Sequence, residues 1–274
     1  MTSRRLAATS LIVLMTVLGQ GCLNSSTLIK LRPDGSGTIE QTLLVNPKSF
    51  ESLAAMAEQM GGGEGKKGAS GLPSPKDLLD EAKLKEAAAK FGRGVRYVSS
   101  APLKQGDLEG ARALFAFDDI NALSVDQSPQ GSSRGERDPV TFRFERGAAG
   151  SVLSVTLPDR DPKDKAAPAA PARSLAQQVP PEALALVRPF FEGMRVAIAL
   201  DIEGKILKTN ADHVNGSRVT LLDVDFSELL KNPAAFEKLG ALGPGASIND
   251  VKAATKDMPG LKVNSSPTVR IEFK

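Results

Sequence analysis

Residues 195–226, RVAIALDIEGKILKTNADHVNGSRVTLLDVDF, carry the pattern from which the fold is read. Residues 195–202, 206–210 and 218–226 are short runs of β-branched and apolar residues bounded by turn formers, which predicts three strands. Asn215-Gly216 is the dipeptide favoured in two-residue hairpin loops, so the last two strands are expected to pair across it. Asp223 and Asp225 lie two apart and therefore on one face. That face either holds a cation or is simply solvated, and the solvated reading asks for less.

The same signal recurs on both sides. Residues 27–31 and 38–45 flank Pro33-Asp34-Gly35-Ser36-Gly37, a dense turn cluster, and predict a hairpin. A ligand loop at 34–37 is the alternative, but a turn that needs positive φ explains the glycines more simply. Residues 95–101 and 111–118 form a second strand pair around Gln105-Gly106-Asp107, and residues 119–123 fit one helical turn. Residues 140–145 (VTFRFE) and 152–157 (VLSVTL) predict a third hairpin, with Phe142 and Phe144 on one face. The chain closes on a strand at 268–273 (TVRIEF).

Helical periodicity appears at 47–59, 75–91, 181–194, 227–231, 233–242 and 247–258. Gly92 is placed to stop the second of these, and Asn232 to cap the segment at 233–242. Strands arrive in hairpin pairs and do not alternate strictly with helices. The expected fold class is therefore α+β: a mainly antiparallel sheet built from hairpins, with several helices packed on one face or end. Residues 61–73, rich in Gly and Lys, and 158–179, charged and then Ala/Pro-rich, predict flexible loops inside one domain spanning 27–274.

Composition narrows the function classes. The chain has 35 basic and 32 acidic residues. Removal of residues 1–21 takes two arginines and no acid, which leaves 33 against 32. That balance argues against a nucleic-acid footprint. One cysteine permits neither an internal disulfide nor a thiolate metal site, so the fold must rest on its hydrophobic core. Trp is absent and Tyr occurs once, which leaves few platforms for stacking sugars or bases.

The N-terminal 22 residues, MTSRRLAATSLIVLMTVLGQGC, read as a secretory signal. Arg4 and Arg5 form the basic region, residues 11–18 the apolar core, and Gly19-Gln20-Gly21 the small residues ahead of Cys22. The apolar run is shorter than the roughly 20 residues that span a bilayer. A signal ending at a lone cysteine resembles the lipobox of bacterial lipoproteins. Gly21 matches the position before the cysteine, while Leu18 stands one place earlier than the usual leucine. The resemblance implies cleavage between Gly21 and Cys22, acylation of Cys22 with palmitate-type chains, and a short lipidated tether at 22–26. It also implies outer-membrane sorting if the cell has an outer membrane, because Leu23 is not the retention-type Asp. An unmodified thiol in an ordinary cleaved signal is the alternative, but an odd cysteine in an exported protein has no partner in its own chain.

Sequence motifs for catalysis fail on context. Residues 131–135 (GSSRG) match the nucleophile-elbow spacing, yet a polar loop enters and a strand leaves. His213 is the sole histidine, too few for a histidine-based metal site. Gly65-Lys66 lacks the upstream Gly and downstream Ser/Thr of a phosphate loop. Asp159, Asp161 and Asp164 lack the Gly and terminal Glu of a calcium loop. No catalytic, cofactor-binding or metal-binding residue is named, and no cofactor is expected.

Residues 195–226, together with the hairpin around 34–38 behind a lipobox, resemble the LppM-type domain of bacterial lipoproteins. Two departures stand in the later stretch: Glu203 where a proline is common, and Leu where a Trp often lies. That resemblance implies an antiparallel α+β domain without established catalysis. The expected function is a membrane-anchored cell-envelope lipoprotein acting as a non-catalytic structural or interaction module. Its partners would be the membrane through the N-terminal anchor, and a lipid or an envelope protein. The alternative is a lipid- or amphiphile-binding or transfer domain, marked by an apolar cavity of several hundred cubic ångströms under a helix such as 181–194. An enzyme is the third expectation and has no readable motif.

Overall fold

A computed structural model describes residues 23–48, 79–125, 139–147, 150–157, 193–232, 258–264 and 266–274. Before the long gap in that description come β1 (Leu23–Leu31), β2 (Gly37–Val45), helix α1 (Glu81–Lys90), β3 (Arg96–Gln105), β4 (Leu108–Phe117), β5 (Ser124–Val125), β6 (Val140–Gly147) and β7 (Gly150–Thr156). After it come β8 (Arg195–Ile202), β9 (Ile206–Thr209), β10 (Val214–Asn215), β11 (Arg218–Asp225), helix α2 (Phe226–Leu230), β12 (Leu261–Val263) and β13 (Thr268–Phe273).

Two sheets result. The larger runs β10-β11-β8-β1-β2-β4-β3, with β12 also on β11; the smaller runs β5-β6-β7-β13-β9. Both recruit strands from either side of residues 158–192. β1 pairs with β8, Asn24 opposite Arg195 through Leu31 opposite Ile202, and β7 pairs with β13. The β1–β8 pair is parallel and the remaining ladders are antiparallel. A parallel pair cannot be closed by a tight turn, so only strands distant in sequence can make one.

Period-two alternation explains which face is buried. In β8, Ile198, Leu200 and Ile202 point inward and are at most 5 % exposed, while Ala197, Ala199 and Asp201 point outward. In β1 the inward set is Thr27, Ile29 and Leu31, and in β4 it is Ala111, Ala113, Phe115 and Phe117. All of these inward side chains except Thr27 and Ala111 join Leu153, Val155, Ile271 and Phe273 of the smaller sheet in one hydrophobic cluster. Helix α1 closes one side with Leu84 and Ala88, and Phe91 and Tyr97 set their rings against Phe115 at 5.2 and 6.2 Å. Burying a side chain of this size stabilises by about 1.5–3 kcal/mol, so the cluster dominates the fold's energetics.

The expected α+β class does not hold. Among the described residues strand accounts for 60% and helix for 14%, and the sheets are mixed. The helices there are α1, α2 and a 3-10 turn at Ile120–Ala122, alongside a helical pair at Pro47 and Lys48. The reason lies in what the sheet edges demand: long-range pairing, not local periodicity, organises the described chain. Helix α1 begins at Glu81, where Asp80 Oδ1 accepts from the N–H groups of Ala82 and Lys83, so the cap stands six residues later than a start at 75 requires. Gly92 stands just past the helix with φ +129, consistent with its reading as the stop. The helical readings at 181–192, 233–242 and 247–257, most of 47–59, and the loops at 61–73 and 158–179 lie outside the described residues.

Two further differences concern strands. Residues 23–26 of the expected tether form the first half of β1 instead, because β2 and β8 pair with that strand from its start. Residues 206–209 do not pair with β11 across the Asn215-Gly216 turn. They join β13 in the smaller sheet, where the Asn210 side chain extends the ladder by accepting from Arg270 N at 2.6 Å and donating to Thr268 O at 3.0 Å. The short β10 takes their place opposite β11, and the two-residue loop is Gly216-Ser217, with Gly216 at φ +60.

Candidate functional site

Cys22 and Gly21, the expected lipidation and cleavage positions, lie outside the described residues, as do residues 131–135, Gly65-Lys66 and Asp159, Asp161 and Asp164. Leu23 stands at the head of β1, opposite Val45. Among the described residues no helix is long and apolar enough to cross a membrane, and no group of His, Cys, Asp or Glu is placed to hold a metal ion.

The two acids that share a face are each occupied. Arg195 donates to both carboxylate oxygens of Asp223, Nε to Oδ1 and Nη2 to Oδ2, each at 2.9 Å. Asp223 is only 13% exposed, and Lys262 Nζ stands 4.0 Å from its second oxygen. The Asp223 hydrogen bond holds the Arg195 guanidinium above its ordinary pKa. Asp225 caps α2 instead, accepting from Ser227 N at 3.0 Å and Glu228 N at 3.3 Å. Thr220 N donates to the His213 carbonyl at 2.9 Å, and that residue stands in the β9–β10 connection, directly before β10.

What the strands do bring together is the outer face of the large sheet. Because side chains alternate, Asn24, Ser26 and Leu28 of β1 share that face with Glu40, Thr42 and Leu44 of β2 and Ala197 and Ala199 of β8. The register lines them up in rows: Asp223 beside Ala197 beside Ser26 beside Thr42 beside Arg112. Small residues in the middle and long ones at the sides leave a recess of about 390 Å³, with Leu103 and Gln105 at one margin and Arg218 and Thr220 at the other.

Electrostatically the recess is closed upon itself. Arg195 holds Asp223, Arg218 Nη2 reaches Asp201 Oδ2 at 3.1 Å, and Arg112 Nε stands 3.5 Å from Glu40. Asp201 also accepts from Ser217 Oγ at 2.7 Å, and this hydrogen bond, then Arg218, holds its carboxyl below the ordinary value. Ser26 and Asp223 are two strands apart, roughly 10 Å at the usual spacing, too far for proton transfer between them. The chemistry on offer is hydrogen bonding and apolar contact in a shallow, sided trough. It has the volume expected of an amphiphile site and a mixed, not apolar, lining.

Of this lining the sequence alone singles out Asp223, as one of two acids on a shared face, and Gln105, as a turn residue. A signal was present in residues 195–202, where every second side chain (Ala197, Ala199) is small on the face opposite the core. The partner strand supplies Ser26 and Asn24 from residues that local sequence alone places in a tether.

No protein-family model and no curated protein matches this chain. Among solved structures the chain is similar to the NMR structure of the Mycobacterium tuberculosis LppM protein folded domain. The identity is 14%, covering 76% of this chain and 85% of that one, with a TM-score of 0.33.

Proposed function

We propose that this chain is a cell-envelope lipoprotein, held at a membrane through acylated Cys22, whose β fold serves as a non-catalytic structural or interaction module. The observation that carries the reading is the placing of the lone cysteine. It ends a signal-like stretch of basic, apolar and small residues and stands directly before the first residue of a central strand. Two or more acyl chains there give a stable anchor, at about 0.8 kcal/mol per buried methylene. In a cell with two membranes, Leu23 after the cysteine favours the outer one. The test is fractionation of the native host: the wild-type chain partitions with membranes and into detergent, and Cys22→Ala moves to the soluble fraction. A wild-type chain recovered soluble would end the reading.

A second reading is favoured by the trough. Leu28 and Leu103 line the same recess as the guanidinium groups of Arg195 and Arg218, a pairing of surfaces that an amphiphile with a polar head and an apolar tail would use. Native mass spectrometry of the detergent-extracted protein tests this. A lipid adduct that disappears when Ala197→Trp fills the trough supports it, and an adduct that survives that change places the lipid elsewhere.

A further inference from the structure

We infer that the end of the large sheet where β1 begins faces the bilayer, and that the Arg32–Ser36 turn is the membrane-distal pole. This rests on acylation of Cys22 as proposed above.

The argument is one of reach. β1 is the fourth of the seven strands along the main path of its eight-stranded sheet, paired on both sides from its first residues, Leu23 with Val45 and Asn24 with Arg195. It cannot peel away to act as a spacer without breaking two ladders at the centre of the sheet. The free chain between lipid and fold is then one residue, and a residue spans at most ~3.6 Å. At this end lie the close of β2, the β3–β4 turn at Gly106-Asp107, the start of β8 and the end of β11, since Val45 stands opposite Glu109 and Asp225 opposite Arg195.

The opposite pole is fixed by the same strand. Eight steps of roughly 3.3 Å put Leu31 about 26 Å further along, where Glu203 N donates to the Leu31 carbonyl at 2.8 Å and Arg32 N to the Ser36 carbonyl at 2.9 Å. Lying flat on the outer face would press the Arg112–Glu40 and Arg218–Asp201 pairs against lipid, where their desolvation opposes contact. Attachment at the midline of the sheet favours an end-on stance. The trough, whose near margin holds Asn24, Leu44 and Arg195, then opens beside the membrane.

The experiment uses the full chain, purified acylated and reconstituted in phosphatidylethanolamine/phosphatidylglycerol vesicles that contain a headgroup nitroxide lipid. With Cys22 acylated, an introduced cysteine is the single free thiol. A fluorophore is placed at Asp107→Cys in one protein and Glu203→Cys in another, both exposed positions. The expected result is several-fold stronger quenching at 107 than at 203. A Gly-Ser spacer of about ten residues inserted after Cys22, with a root-mean-square reach of ~17 Å, should shrink that difference while membrane association persists. Equal quenching, or stronger quenching at 203, in a protein that still associates through Cys22 overturns the orientation and leaves the anchor standing. Failure of the wild-type chain to associate with vesicles removes both.

Discussion

Asn264 Nδ2 donates to the carbonyl of Thr220 at 2.7 Å, beside the place where β11 breaks its register with β8. The same nitrogen donates to Leu221 O at 3.1 Å, and Oδ1 accepts from Asp212 N at 3.0 Å. A bulge turns backbone groups out of the ladder, and this buried side chain satisfies them. Asn264→Ala should therefore cost about 2–3 kcal/mol. Asn264→Asp should not rescue it, since a carboxylate cannot donate to the two carbonyls. Urea unfolding gives the loss, and faster hydrogen exchange at Asp212 N localises it.

The turn at Pro33–Ser36 is built against the second sheet. Gly35 has φ +88, and a β-carbon there would stand 2.9 Å from the Phe144 ring. Gly35→Ala should destabilise by about 1–2 kcal/mol, and Phe144→Ala should relieve the clash, so the double mutant loses less than the sum. Gly37 needs no unusual φ, but its β-carbon would meet Lys30 O at 2.0 Å and the Phe117 ring at 2.6 Å. Gly37→Ala should cost more than Gly35→Ala, because backbone cannot give way as a ring can. Thermal unfolding of the three single variants and the double mutant ranks them.

These glycines show what the sequence could and could not disclose. The Asp34–Gly37 turn was legible because turn chemistry is local, and Gly35 does what positive φ requires. The three hairpins and the closing strand were legible for the same reason: alternation and turn residues sit within a dozen positions of one another. The β1–β8 pair was not, because nothing between residues 31 and 195 marks a parallel partner. Missing it turned residues 23–26 into a tether and hid the trough, whose floor is the outer face of those two strands. Helical periodicity weighted the expected class toward α+β, whereas the described core is made by strands.

Arg195 and Asp223 form the strongest polar contact of the trough, two parallel 2.9 Å hydrogen bonds on a largely buried carboxylate. Arg195→Ala should cost about 1–2 kcal/mol, discounted because the guanidinium is half exposed. Arg195→Lys should recover little, since an ammonium cannot make the fork. Chemical denaturation of the two variants beside Asp223→Asn checks this, and the double mutant should be far from additive.

Acid sensitivity follows from Asp201 and Asp34. Ser217 Oγ and then Arg218 lower the Asp201 carboxyl from its ordinary 3.8, and the Ser36 hydroxyl and N–H lower Asp34. Folded values below the unfolded ones mean that the unfolded chain binds more protons near pH 4. The stabilisation is therefore present above the ordinary value and is lost as pH falls through the folded one. Ser217→Ala should raise the Asp201 titration toward 3.8 and flatten the acid limb of the stability curve. Carboxyl-carbon NMR titration reads the first effect, and unfolding midpoints between pH 5 and pH 2 read the second.

The central claim is that Cys22 carries lipid, and intact mass spectrometry of the protein extracted from its native membrane in mild detergent tests it most directly. The account predicts a mature chain that begins at Cys22 and is heavier than the bare polypeptide by a diacylglyceryl group, with or without a further N-acyl chain. Cys22→Ala should lack that mass. An unmodified chain, cleaved elsewhere or not at all, would contradict it.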